Sequence, residues 1–208
     1  MEMNNLKIKD GFKGERSLIM PEMILNLAKE DPVLRNLHIT DIGYYPHATY
    51  HYRERTEPID QCVLIYCVKG SGKYSINGKQ YEVKANQYFI MPAHTPHAYA
   101  SNNDDPWTIY WIHFRGTLAH IYAEGAEMPT TISTNLNSRI ADRNNIFEDI
   151  FLTLSDGYAI DQYALVDGFR SLPIMIGGVR IVAYVCDMQG PQYRVGFSQI
   201  QNHLRHNQ

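Results

Sequence analysis

Between positions 37 and 114 the hydrophobic residues fall into short runs divided by turn residues, and after position 116 they recur at wider spacing. The run Gln61 to Val68, rich in β-branched, aromatic and thiol side chains, has the pattern of a strand buried on both faces and stops at Gly70-Ser71-Gly72. Tyr74-Ser75-Ile76 and Lys79 to Val83 alternate on either side of Asn77-Gly78, the dipeptide that supplies two positive φ angles to a type I′ hairpin. Gln87 to Met91 predicts a further strand, Pro92 to Tyr99 turns the chain, and Asn102 to Pro106 reads as an exposed loop. In the aromatic run Trp107 to Phe114, the residues Trp107, Ile109, Trp111 and His113 share one face, and Thr108, Tyr110, Ile112 and Phe114 share the other. One face suits a cavity and the other a packed helix. Leu37 to Pro46 predicts a strand and turn, and His47 to Arg53 another strand before a charged connection over 54–60. Short strands at this spacing argue for a small antiparallel barrel or sandwich.

Outside that section the pattern changes. Residues 1–16 are polar and Lys-rich and predict a mobile arm, and Ser17 to Glu30 predicts a short helix with Pro21 in its first turn. Thr117 to Glu124 predicts a short helix and Pro129 to Thr134 a spacer. A longer helix is expected over Asn135 to Leu154, where Ile140, Ile146, Ile150, Phe151 and Leu154 recur at helical spacing. Tyr163 to Val185 suggests a second helical segment, which Gly177-Gly178 weakens, and Phe197, Ile200 and Leu204 form an amphipathic stub. The expected fold class is α+β, mainly β: an antiparallel barrel followed by C-terminal helices.

Composition narrows the function classes. A chain of 208 residues with net charge -3 shows no basic footprint for nucleic acid. Cys62 and Cys67 are an odd number of positions apart on one strand and face opposite sides, and with Cys186 they make an unpaired count suited to a reducing cytoplasm. Leu172 to Val185, the longest apolar stretch, is too short and too interrupted to span a bilayer, so no membrane partner is expected.

Pro92-x-His94-x-x-His97 in a barrel raises a metal reading first, because metal sites need three or four converging ligands. His94 and His97 lie in a turn with no glutamate at useful spacing, and His47 and His51 on one strand stand roughly 13 Å apart. No metal, cofactor or catalytic residue is therefore assigned. Gly70-Ser71-Gly72 is a strand end and not a nucleophile elbow. Arg55 presents a fork that matches a carboxylate or vicinal hydroxyls, against the alternative of a solvated arginine beside Glu54 and Glu57. Trp111 offers a flat face for a sugar ring or another planar group, against plain core packing. Tyr99 offers a hydroxyl, Tyr45 belongs to the same mouth if the barrel closes, and His97 caps or packs against that mouth.

The segments His38 to Pro46, Leu64 to Gly72, Gln87 to Tyr99 and Trp107 to Phe114, taken as an ordered set, resemble the N-terminal effector-binding and dimerisation domain of AraC-type bacterial transcription regulators. The resemblance covers about residues 35–116. It implies a cupin-like barrel (a double-stranded β-helix or jelly roll) that binds a small effector, often a sugar, followed by helices that pair two subunits. By position it places the family's pocket Arg on Arg55, its Tyr on Tyr99 and its stacking Trp on Trp111, while a family pocket His falls on Ile109. The expected organisation is an arm and short helix over 1–34, the barrel over 35–116, and a helical dimerisation region over 117–208 that begins the linker to a DNA-binding domain. Two helix-turn-helix motifs would need on the order of a hundred further residues, so the chain is expected to be a regulator fragment that meets DNA only through a domain it lacks. The expected partners are a small-molecule effector, carbohydrates among the candidates, and a second copy of the chain. The competing reading is a small metal-dependent cupin enzyme, an isomerase or dioxygenase. A third is a dimerisation domain whose barrel is filled by its own aromatics.

Overall fold

The computed structural model describes residues 6–132, 143–152, 154, 171–176 and 179–184. Two antiparallel sheets face each other. The larger has strand order β1-β2-β9-β4-β7-β10, formed by β1 (Arg16–Ile19), β2 (His38–Tyr45), β4 (Cys62–Lys69), β7 (Gln87–Met91), β9 (Thr108–Arg115) and β10 (Thr130–Thr131). The smaller has the order β3-β8-β5-β6, formed by β3 (Tyr52–Arg55), β5 (Ser71–Ile76), β6 (Lys79–Lys84) and β8 (His97–Ser101). Neighbours that are distant in sequence, such as β2 with β9, make this a jelly roll and not a meander.

The hairpin signal at Asn77-Gly78 is realised: both residues take positive φ, 49° and 77°, between β5 and β6. Gly70 ends β4 with φ 75°, and a side chain there would overlap the Pro106 carbonyl. The expected strand over 47–53 is corrected. His47 and Tyr50 take left-handed φ of 45° and 61°, so the chain turns through 46–50 and only Tyr52–Arg55 pairs as a strand.

Alternation along β4, β7 and β9 divides the apolar residues into two clusters. Val63, Ile65, Cys67, Phe89, Met91, Trp107 and Ile109 point into the roll, where Tyr74, Ile76, Val83 and Tyr99 of the small sheet meet them. Cys62, Leu64, Tyr66, Tyr88, Ile90, Tyr110, Ile112 and Phe114 point outward and are covered by helices α1 (Glu22–Glu30), α2 (Ala119–Ala123) and the helical residues 143–152, here α3. Phe147 of α3 stacks within 10° of Tyr110 and within 9° of Tyr66. Glu148, one residue on, accepts from both terminal nitrogens of Arg16 on β1 and from the Tyr110 hydroxyl at 2.6 Å.

The ends of the chain depart further from expectation. Residues 6–19 are held: Ile8 bridges to His51, Phe12 packs its ring on Tyr45 and His51, and Arg16–Ile19 pairs with Asp41–Tyr44. Packing of the partly buried Phe12 supplies what the polar composition of the arm concealed. Pairing of β1 also shortens the expected helix over 17–30, which begins at Glu22 after Pro21. Thr130–Thr131, expected as a spacer, pairs with Gln87 and Tyr88 at the sheet edge. Within the expected helical segment 163–185, Ser171–Ile176 and Val179–Tyr184 pair as an antiparallel hairpin. Residues 135–142 of the predicted long helix, Cys186 and the amphipathic stub lie outside the described residues.

Candidate functional site

A cavity of about 440 Å³ opens at one end of the roll, within the range of small-molecule sites. Its walls come from the arm (Asp10, Glu15), β1 (Ser17, Ile19), β2 (Asp41, Tyr45), β3 (Arg53, Arg55), Gln61, Tyr99 of β8, and β9 (Trp111, His113).

A β-bulge decides which residues of β2 reach it. Pairing with β9 shifts between Ile39 and Asp41, so Ile39 and Ile42, three apart, both face the helices, while Asp41, Gly43 and Tyr45 face inward. Gly43 sits opposite Trp111 and leaves its own side-chain space to the indole, which a Cβ there would overlap. The edge of Tyr45 meets Trp111 at 5.6 Å between centroids. Burial pushes the Tyr45 phenol up to about 12, so it stays a neutral hydroxyl.

Asp41 is the acceptor end of the cavity. Its Oδ2 accepts from Thr40 Oγ1 at 2.7 Å and from Gln61 Nε2 at 3.0 Å, and lies 3.2 Å from His113 Nδ1. Burial opposes the charged carboxylate, but these hydrogen bonds outweigh it and hold Asp41 below its ordinary value. Burial also keeps His113 below its ordinary value in spite of Asp41, which makes the pair a neutral imidazole donating to a carboxylate at neutral pH.

The donor end is built by β3 against β8. Arg53 stands opposite Tyr99 and Arg55 opposite His97, so both guanidinium groups face inward, and Glu54 faces out with Ala98. Arg53 pairs with Asp10 of the arm at 3.2 Å. Arg55 Nη1 reaches the Tyr99 hydroxyl at 3.3 Å and His97 Nε2 at 3.4 Å. His97 Nδ1 donates to the Thr95 carbonyl at 2.8 Å, which leaves Nε2 as an acceptor toward Arg55. Burial, helped by the Arg55 charge, lowers His97 and keeps it in that neutral form.

Of the six residues singled out from the sequence, Arg55, Tyr99, Trp111 and Tyr45 stand together around this cavity. His97 stands one layer behind, against Arg55. Ile109 is fully buried in the inward cluster between Tyr45 and Cys67 and does not line the cavity. Sequence reasoning missed Asp41, Gln61, Arg53 and the arm residues Asp10 and Glu15. His113 was visible in its shared face with Trp111, but Asp41 was hidden, because simple alternation along 38–45 gives no sign of the bulge.

A cupin-type metal does not fit these side chains. Among the described residues no three His, Cys, Asp or Glu side chains converge to hold an ion. His113 and Asp41 are a pair without a third ligand, and His94 sits in a left-handed turn bonded through its amide to the Ile59 carbonyl.

Residues 40–156 match the family model described as the AraC-like ligand binding domain, more than half of the chain. The chain belongs to this family. The AraC-like domain is also 33% identical over 106 residues to the MmsAB operon regulatory protein of Pseudomonas aeruginosa, covering 49% of this chain and 34% of that one. It is 38% identical over 56 residues to the raffinose operon transcriptional regulatory protein RafR of Pediococcus pentosaceus, covering 26% of this chain and 20% of that one. The matches thus span about a third and a fifth of the relatives' length. Among solved structures it is similar to the cupin domain of Schizosaccharomyces pombe Cnp3 (TM-score 0.35, 15% identity, covering 50% of this chain and 65% of that chain). It is similar to KdgF from Halomonas at TM-score 0.33 and 14% identity, covering 51% of this chain and 82% of that chain. The two-sheet roll described above is the cupin-like barrel of this family of transcription regulators, and its family role is to bind a small-molecule effector.

Proposed function

We propose that this AraC-like domain is the sensing and dimerising module of a transcription regulator, with the cavity bounded by Asp41, Arg55, Tyr99 and Trp111 as its effector site. The observation that carries this reading is the two-ended cavity itself: charged and hydroxyl groups converge on a space of about 440 Å³ beside an aromatic wall of Tyr45, Tyr99 and Trp111. Carbohydrates suit such a lining, since a sugar presents hydroxyls to the polar groups and a flat face to the indole. Bound effector would touch the roll through Arg55 and Trp111 and the arm through Asp10 and Glu15, which line the same cavity. Binding therefore couples to the order of the arm, and an effector shifts an equilibrium between two arrangements by its difference in affinity for them.

Dimerisation through the helical side is supported by apolar residues left exposed there: Met23 and Leu27 of α1, Leu118 and Ile121 around α2, and Leu152 of α3. DNA contact belongs in this reading to a further domain of the intact regulator, which acts in the cytoplasm. Calorimetry with a panel of mono- and oligosaccharides, sugar acids and small hydroxy acids, joined to sedimentation with and without the binder, tests the proposal. Micromolar binding by one member and a concentration-dependent dimer are expected. A monomer that binds nothing in the panel would refute it, and stoichiometric bound metal by elemental analysis would favour the enzyme reading instead.

A further inference from the structure

We infer that the effector is a small hydroxy acid, its carboxylate seated on Arg55 and a hydroxyl directed to Asp41. This deepens the proposed sensing role and rests on it. The inference comes from how differently the charges of the cavity are satisfied. Asp10 is matched by Arg53 at 3.2 Å, and Glu15 Oε2 accepts the amides of Gly11 and Phe12 at 2.7 and 2.8 Å. Asp41 gathers Thr40, Gln61 and His113 on one oxygen, Oδ2. Arg55 stands apart. Among the described residues no carboxylate comes within ion-pair distance of it, and its hydrogen bonds run from one nitrogen to two neutral acceptors at 3.3 and 3.4 Å.

A half-buried guanidinium bonded only to neutral acceptors suits an anion, because charge-assisted hydrogen bonds are shorter and stronger than those to neutral acceptors. Neutral hydroxyls would only replace Tyr99 and His97 with more of the same. The other end has the opposite requirement. Asp41 already has three donors sharing its charge on Oδ2, so its remaining oxygen, Oδ1, calls for a neutral donor such as a hydroxyl and not for a cation. Arg55 and the Asp41–His113 pair line the same cavity. A molecule bridging the two lies within a cavity of about 440 Å³, with Trp111 against its carbon chain.

Matched pairs test this. The acids lactate, 3-hydroxybutyrate, gluconate and glucuronate are titrated by calorimetry into the intact chain beside their primary amides, with glucose and galactose as neutral sugars. At least one acid is expected to bind roughly ten- to hundredfold more tightly than its amide, the range of a hydrogen bond to a charged partner. Arg55→Gln is expected to abolish that preference, and Arg55→Lys to keep it with weaker binding. Should the Gln variant fail to fold by circular dichroism, the Lys variant alone decides: loss of all acid preference there would also overturn the role given to the charge. A neutral sugar that binds while every acid fails overturns this inference and leaves the sensing role standing. An acid preference unchanged in Arg55→Gln overturns the seat on Arg55. Silence from acids, amides and sugars alike sinks both.

Discussion

Strand β9 serves two regions with opposite characters. Tyr110, Ile112 and Phe114 go to the helix-covered face, where rings stack in parallel and Tyr110 carries its hydroxyl to Glu148. Ile109, Trp111 and His113 go into the roll, where the first lies in dry packing, the second walls the cavity and the third is tied to a carboxylate. The period of two that builds the sheet therefore also separates what holds the molecule together from what lines the cavity. Stability and recognition should respond separately to substitutions one residue apart.

The largest contrast is between Phe114 and Trp111. Phe114→Ala opens a void against Ile39 and Cys62 on a fully enclosed face, and a loss of about 3–5 kcal/mol is expected in urea unfolding. Trp111→Ala removes a larger ring from a half-open site and should cost less than half as much, while weakening effector binding. Equal losses would break the division. Acid comes next. His51 lies inside the roll, accepts the Trp107 indole N–H on Nδ1 at 3.1 Å, and is pushed down by burial to about 3. Because its unfolded value is near 6.5, the unfolded chain takes up the proton first as pH falls. Stability is full above about pH 6.5 and is lost progressively toward pH 3, by an amount on the order of 2 kcal/mol at pH 5 from this residue. His51→Asn keeps an acceptor for Trp107 and removes the titration, so the melting midpoint should fall less steeply between pH 6.5 and 4. An unchanged slope would place the acid sensitivity elsewhere. The smallest effect belongs to the outer surface. Glu148→Gln loosens the partly exposed clamp on Arg16 and is expected to cost about 0.5–1 kcal/mol by urea titration, with no change in ligand affinity.

Much of this division was legible in the chain. The alternation of 107–114 assigns its faces correctly, and Asn77-Gly78 and Gly70 place their turns, because these signals depend on local backbone chemistry. What escaped depended on distant partners. The arm is ordered by the packing of Phe12 against Tyr45 and His51, some thirty positions away, and nothing in its polar composition announces that. His47 to Arg53 alternates like a strand, yet two left-handed residues turn it, an outcome fixed by closure of the roll. Asp41 was passed over because the residue beside it breaks the alternation, and Arg53 because its partner lies in the arm.

The extra residue at Thr40 is a one-step change of phase in an otherwise regular ribbon. Upstream of it the strand keeps the parity of the helix-packed layer, and downstream the parity of the receptor. A regular ladder of the same sequence running on from Ile39 would exchange Asp41, Gly43 and Tyr45 for Thr40, Ile42 and Tyr44 at the lumen and lose the carboxylate there without altering a single side chain, whereas removal of Thr40 would leave Asp41 opposite His113.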